Sequence, residues 1–78
     1  MSGAVERVLM DFSDRAATAF SLLLFRCGKV TAVRFFDSAQ FDQVKVDAIL
    51  AVQSLEAEDA EVHEDAAGLI YRYSQVLN

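Results

Sequence analysis

The segment from residue 56 to 65 holds the densest set of side chains that could do chemistry. Six of its ten residues are acidic, and His63 lies among them. If the segment is helical, His63 and Asp59, four residues apart, could reach one metal ion from the same helix face. A metal site needs three or four ligands, however, and the chain has one histidine and one cysteine. The sequence therefore predicts no metal site and no cofactor.

The acidic side chains of this segment allow two interpretations. They could form a solvated connection whose later members stabilise the N-terminus of a helix. They could also form an acidic docking surface that imitates the charge of a nucleic acid and binds a basic partner. The residues of this possible surface are Glu56, Glu58, Asp59, Glu61, Glu64 and Asp65.

Cys27 is the second candidate for chemistry because Arg26 and Lys29 lie beside it. Nearby cations favour the thiolate, but a nucleophilic cysteine also needs a base, and His63 is distant in sequence. An oxidation-sensitive thiol stays open as an alternative to an inert one. Phosphate-binding glycine loops, Ser-His-Asp sets and paired-cysteine zinc spacings are absent. We therefore predict no catalytic residues and no enzymatic activity.

Charge and composition restrict the partners of the chain. The formal net charge is -5, and the seven Lys and Arg residues are scattered singly. Direct binding to nucleic acid is therefore not expected, since it needs a basic stripe. The longest uninterrupted apolar run covers only residues 22–25, too short to cross a membrane. Charged residues interrupt every apolar run near the N-terminus, and a single cysteine allows no internal disulfide, so we predict a cytoplasmic protein.

The 78 residues predict a single domain, 1–78, with more apolar side chains than a small core readily hides. Apolar residues make up 54% of the chain, so part of this surplus is expected to face a protein partner. There is no proline and there are only three glycines, which favours long helices with few connections.

Apolar spacing predicts three helices and one hairpin. Steps of three and four residues indicate a helix over residues 3–17, and similar spacing indicates helices over 38–57 and 60–77. Between the first two, Gly28 either turns a β-hairpin or caps a longer first helix; the β-branched and aromatic residues after it favour the hairpin. The predicted fold is a small, helix-rich α+β domain, with an all-α helical bundle as the alternative.

Several apolar side chains do not fit inside such a core. Adjacent phenylalanines in a strand point to opposite faces, the helix over 38–57 has a second apolar side, and one tyrosine lies off the main stripe of the last helix. The predicted partner-binding residues are Phe35, Phe36, Val46, Ile49, Leu50 and Tyr71. We therefore predict a non-enzymatic protein-interaction module, such as an adaptor, chaperone-like subunit or antiactivator, that forms a homodimer, binds another protein, or both. The alternative is a small phage-type inhibitor that blocks a nucleic-acid-binding machine by charge mimicry.

Overall fold

Strands dominate the fold. This computed structural model describes residues 3–13 and 15–76, which contain five strands and one helix. In chain order they are β1 (Gly3–Val8), β2 (Ala19–Arg26), β3 (Lys29–Asp37), α1 (Phe41–Gln53), β4 (Asp59–Glu64) and β5 (Gly68–Val76).

All five strands belong to one antiparallel sheet in the order β1-β5-β4-β2-β3. Two hairpins, β2–β3 and β4–β5, pair through β2 and β4, with α1 in the connection between them. β1 closes the opposite edge against β5, with Gly3 opposite Val76 and Val8 opposite Tyr71. The edge strands are therefore β1 and β3.

The core lies between α1 and one face of the sheet. Alternate residues of β2 point into it: Phe20, Leu22 and Leu24 are buried, while the residues between them are half-buried. From α1, the buried residues are Phe41, Val44, Ala48, Ala51 and Val52. Each large side chain that is fully buried contributes about 1.5 to 3 kcal/mol. The small Ala48 and Ala51 allow the helix to lie close to the strands.

An aromatic cluster closes one end of this core. Phe12, from the segment that joins β1 to β2, packs edge-on against Phe20 at 5.9 Å between ring centroids. Phe41 at the start of α1 lies 5.5 Å from Phe20 and 6.1 Å from Phe12. The irregular segment after β1 is thus tied to the core by Phe12.

The predicted helix-rich α+β fold is wrong, and so is the alternative all-α bundle. The hairpin around Gly28 is confirmed, and α1 lies within the helix predicted over 38–57. The predicted helix over 3–17 is instead β1 and an irregular segment; its residue 14 lies outside the described residues. The helix predicted over 60–77 is instead the β4–β5 hairpin, and residue 77 is likewise outside the described part.

A β-bulge explains the wrong prediction over 60–77. Val62 pairs with Tyr71 and His63 with Leu69, so Ile70 is an extra residue in β5. Ile70 and Tyr71 are consequently both buried although they are adjacent, which breaks the two-residue alternation of a strand. Gly68 is not required by close packing, since apart from its chain neighbours no heavy atom lies within 4 Å of where its Cβ would be. Its φ of +79° shows that it is needed for the turn into β5.

Candidate functional site

The face of the sheet opposite α1, called here the open face, is covered by no other element of the described residues. Strand register determines which side chains share it: Leu23 lies opposite Val33, Phe25 opposite Val30, and Ser21 opposite Phe35. Opposite residues of antiparallel strands point to the same face. The five apolar residues of the β2–β3 half form a continuous group that we call the hairpin patch: Leu23, Phe25, Val30, Val33 and Phe35.

The hairpin patch is most exposed along β3. Phe35 has 81% of its surface exposed, and Val30 and Val33 have 48% and 46%. Leu23 and Phe25, one strand further into the sheet, are half-buried. Large contiguous patches of exposed apolar surface are typical of interaction sites. Because Phe35 belongs to an edge strand, a partner could reach both its ring and the adjacent backbone.

The β4–β5 part of the open face is polar, and its charged side chains bind one another. Arg72 of β5 donates three hydrogen bonds to Asp59 of β4: from Nε to Oδ1 at 3.1 Å and to Oδ2 at 3.2 Å, and from Nη2 to Oδ2 at 2.5 Å. Ser74 Oγ donates a fourth, to Asp59 Oδ1, at 2.8 Å. Burial by itself would raise the pKa of Asp59, but the bonds from Arg72 and Ser74 outweigh it and lower the pKa. This network fixes the carboxylate as an anion beside Phe25 of the patch, which is opposite Asp59.

A shallow cavity of about 290 Å³ lies where the two halves meet, near the β2–β3 turn. Its lining includes Phe25, Gly28, Asp59 and Arg72. Because Asp59 and Arg72 bind each other, their charges are already neutralised within the fold. The cavity therefore provides shape, but no unpaired charge from Asp59 or Arg72.

The six apolar residues predicted to bind a partner lie in three different places. Phe35 is in the hairpin patch, whereas Phe36 points to the opposite face and packs, half-buried, against the core. Val46 and Leu50 are exposed on the outer side of α1, with Ile49 half-buried beside them. These residues do not form one surface.

Tyr71 is the sixth of these residues, and it lies in the core. It has no exposed surface, and its hydroxyl donates a hydrogen bond to Glu6 Oε2 of β1. Burial, followed by the bond to Glu6, raises the pKa of Tyr71 above its ordinary value. This corrects the expectation of an exposed aromatic anchor, because the bulge in β5 turns Tyr71 towards α1.

The six acidic residues also fail to form one surface. Glu56 pairs with Arg34 at 2.6 Å, and Glu58 Oε1 accepts a hydrogen bond from the Cys27 backbone N–H at 2.8 Å. Asp59 binds Arg72, and Glu61 lies 3.0 Å from His63 Nε2. Asp65 is exposed in the β4–β5 turn. Alternation along β4 sends Asp59 and Glu61 to the open face and Glu64 to the core face.

Glu64 is a buried carboxylate with four hydrogen-bond donors. Its Oε2 accepts bonds from the backbone N–H and the hydroxyl of Thr18, both at 2.9 Å. Its Oε1 accepts bonds from the backbone N–H groups of Ala66 at 2.9 Å and Ala67 at 2.8 Å. The Thr18 N–H, opposed by burial and aided by the other donors, lowers the pKa of Glu64 to about 2. Glu64 therefore ties the segment before β2 to the β4–β5 turn.

The side chains considered for chemistry do not form a reactive centre. Cys27 is exposed in the β2–β3 turn, with φ of 52°, and His63 lies on the open face opposite Ser21. Within residues 3–13 and 15–76, no group of three His, Cys, Asp or Glu side chains could hold a metal ion. In the same residues, no helix has the length and hydropathy that crossing a membrane requires.

Sequence reasoning missed four members of the hairpin patch, Leu23, Phe25, Val30 and Val33. The alternation of Val33 and Phe35 with Arg34 carried a signal, because residues two apart in a strand share a face. The pairing that adds Leu23 and Phe25 depends on strand register, which cannot be inferred from residues that are neighbours in sequence.

Comparison of the chain with protein-family models, curated proteins and solved structures found no match.

Proposed function

We propose that the chain is a non-enzymatic protein-interaction module, and that its hairpin patch docks against an apolar surface of another protein chain. The observation that supports this most is Phe35, a large aromatic side chain left 81% exposed on an edge strand. Aromatic residues contribute most of the binding energy in many interfaces. Two exposed valines in the same strand extend the apolar surface around it.

The surroundings of the patch suit an interface. Protein interfaces combine an apolar centre with a polar rim. Here the Asp59–Arg72 ion pair and the hydrogen-bonded Glu61 and His63 lie beside the apolar half of the open face. Because Asp59 and Arg72 are paired and Glu61 is hydrogen-bonded, an apolar partner could cover the patch without leaving these groups unpartnered at its border.

Charge mimicry is the second candidate function, and the contacts of the acidic residues weaken it. Five of the six carboxylates have a hydrogen-bond or ion-pair partner within the fold. They also point in different directions, so they do not imitate a row of phosphates. This function would predict binding that weakens steeply with salt, because exposed charges are screened beyond about 10 Å at 0.1 M ionic strength.

The test is affinity co-purification from the native source, with partners identified at 0.1 M and 0.5 M salt. We compare the wild type with Phe35→Ser and with Leu50→Ser, a matched control on the outer side of α1 where an apolar residue is also exposed. We expect a partner, or a second copy of the chain, that survives high salt and is lost only with Phe35→Ser.

Two results would overturn the proposal. Binding that disappears in 0.5 M salt, and that is abolished by reversing the charges of Glu58 and Glu61, would favour charge mimicry. Binding that persists in Phe35→Ser but is lost in Leu50→Ser would assign the interface to the outer surface of α1.

A further inference from the structure

β1 is attached to the sheet mainly through its backbone. All six of its residues are exposed, whereas β2 and β4 bury every second side chain in the core. The other edge strand, β3, packs the half-buried Ala32 and Phe36 against that core, and helix α1 packs chiefly over β2, β4 and β5. Because apolar burial contributes most of the free energy that favours folding, β1 is held less firmly than the other strands.

The side chains of β1 add one favourable contact and one unfavourable contact. The Tyr71 hydroxyl donates a hydrogen bond to Glu6 Oε2 at 2.5 Å, and within the described part of the chain this is the only hydrogen bond of a β1 side chain. Arg7 lies directly opposite Arg72 in the register of β1 and β5. Like charges in directly opposed positions destabilise strand pairing. The hold of β1 on β5 therefore depends on the backbone ladder and on Glu6.

The attachment becomes firm again after β1, at Phe12. The backbone N–H groups of Leu9 and Met10 both donate to the carbonyl oxygen of Ile70, at 2.8 and 3.0 Å. Phe12 follows two residues later, is 7% exposed, and packs edge-on against Phe20 of β2. The segment before Phe12 thus has one end fixed in the core and one end held only by strand pairing.

We propose that β1 is a detachable strap. Residues 3–10 leave β5 as one unit, while Phe12, the other four strands and α1 stay folded. Opening uncovers the outer edge of β5 and the Tyr71 hydroxyl, which the closed strap shields from water and from other chains. This inference is independent of the proposed function, since β1 and the hairpin patch lie at opposite edges of the sheet.

The test is native-state hydrogen exchange of the full chain, followed by NMR at increasing urea concentrations below the unfolding transition. Amide hydrogens that exchange through release of the strap share one opening free energy, and this free energy depends weakly on urea because little surface is exposed. The most protected amides of β2 and β4 should exchange through global unfolding, with the full dependence on urea. We expect the hydrogen-bonded amides of β1 to be roughly a hundredfold less protected than those of β2 and β4.

A disulfide that holds the strap closed provides the matched variant. Ala4 and Gln75 are direct partners in the register, and cross-strand Cα atoms lie about 4.5 to 5.5 Å apart, within the range for a disulfide. The variant is Ala4→Cys with Gln75→Cys in the Cys27→Ser background. After oxidation, the β1 amides should reach the protection and the urea dependence of β2 and β4. The reduced form of the same variant is the control, and its β1 amides should exchange as in the wild type.

Three results would overturn the proposal. Wild-type β1 amides that already share the urea dependence of β2 and β4 would show that β1 opens only when the whole fold unfolds. Protection that rises steadily from Gly3 to Val8 would show fraying from the end of the strand instead of release as one unit. Rapid exchange of β1 that persists in the oxidised variant would show that detachment is not its cause. The first two results need only the wild-type protein.

Discussion

At the scale of single residues, Glu64 shows how a carboxylate can be buried in a small protein. A buried charge is costly unless hydrogen bonds replace its lost water. Four donors from Thr18, Ala66 and Ala67 do so here, and three of them are backbone N–H groups of irregular segments. The same carboxylate therefore satisfies backbone groups that the sheet leaves unpaired.

Glu64→Gln should destabilise the fold at neutral pH and much less in acid. The pKa of about 2 in the folded protein lies below the ordinary value of 4.5, so ionised Glu64 stabilises the fold above about pH 4.5. This contribution is lost as the pH falls from about 4.5 towards 2. Urea unfolding of the wild type and Glu64→Gln at pH 7, 4 and 2.5 measures it, with exposed Asp65→Asn as the control. A difference in the free energy of unfolding between the wild type and Glu64→Gln that does not change with pH would contradict the role assigned to Glu64.

Tyr71→Phe removes one hydroxyl from the core and should lower the free energy of unfolding by about 1 to 2 kcal/mol, because its hydrogen bond has a charged acceptor. The lost bond joins β5 to Glu6 of β1. Tyr73→Phe is the control, since the Tyr73 hydroxyl has only a 3.4 Å contact with Gln53. Equal losses in the two variants, measured by urea unfolding, would argue against a specific contribution of the Tyr71–Glu6 bond.

Residue types were read correctly from the sequence, but their surroundings were not. The acidic run was interpreted as a solvated connection or as one docking surface. In the structure it forms much of a central strand, and alternation divides its carboxylates between two faces. Several of them then meet a partner distant in sequence, such as Thr18 for Glu64 or Arg34 for Glu56. Composition cannot supply those partners, since they depend on strand order.

At the scale of elements, sequence patterns predicted the secondary structure correctly where contacts between residues close in sequence determine it. The β2–β3 hairpin follows from Gly28 and the β-branched residues after it, and α1 follows from its apolar spacing. β1 could not be predicted in this way: its six residues are all exposed, and it is held mainly by pairing with β5, at the other end of the chain. The apolar spacing of β1 also suits a helix, but its pairing with β5 makes it a strand.

The C-terminal end of α1 contains a strained residue. Leu55 follows the helix with φ of 66°, a conformation usually taken by glycine at this position. Leu55→Gly should therefore stabilise the protein by about 0.5 to 1 kcal/mol, because the side chain is 61% exposed and loses little packing.

Leu50→Gly provides the matched control within the same element. Leu50 is similarly exposed, at 56%, but it lies inside α1, where glycine costs about 1 kcal/mol. Thermal unfolding should consequently shift in opposite directions for the two variants. A loss of stability in both would show that Leu55 contributes more through contacts than it costs through backbone strain.

At the scale of the whole molecule, one helix is too little to cover a five-stranded sheet on both faces. The apolar surplus seen in the composition predicted a partner surface, and the open face and the outer side of α1 carry most of the exposed large apolar side chains. The amount of this surface was foreseeable from the sequence. Its position was not, because two predicted helices proved to be strands and only the sheet brings the hairpin patch together.

If the hairpin patch docks against a second copy of the chain, the thermal stability of the protein should depend on its concentration. A tenfold increase adds about 1.4 kcal/mol per dimer, or about 0.7 kcal/mol per protomer, which corresponds to a rise in Tm of about 3 to 6 °C. Phe35→Ser should unfold at a temperature independent of concentration, whereas Leu50→Ser should behave like the wild type. Calorimetry over a hundredfold concentration range measures this, and a constant wild-type Tm would speak against self-association.

The pairing of β1 with β5 also determines how the molecule responds to force. Gly3 and Val76 are direct partners in the register, so a pull applied at these two residues acts at the same end of the two strands. The hydrogen bonds between β1 and β5 then break one pair after another, starting at Gly3 and Val76. A force applied at opposite ends of the two strands would instead act on all of these hydrogen bonds at once. The chain should therefore yield at low force when stretched between these residues.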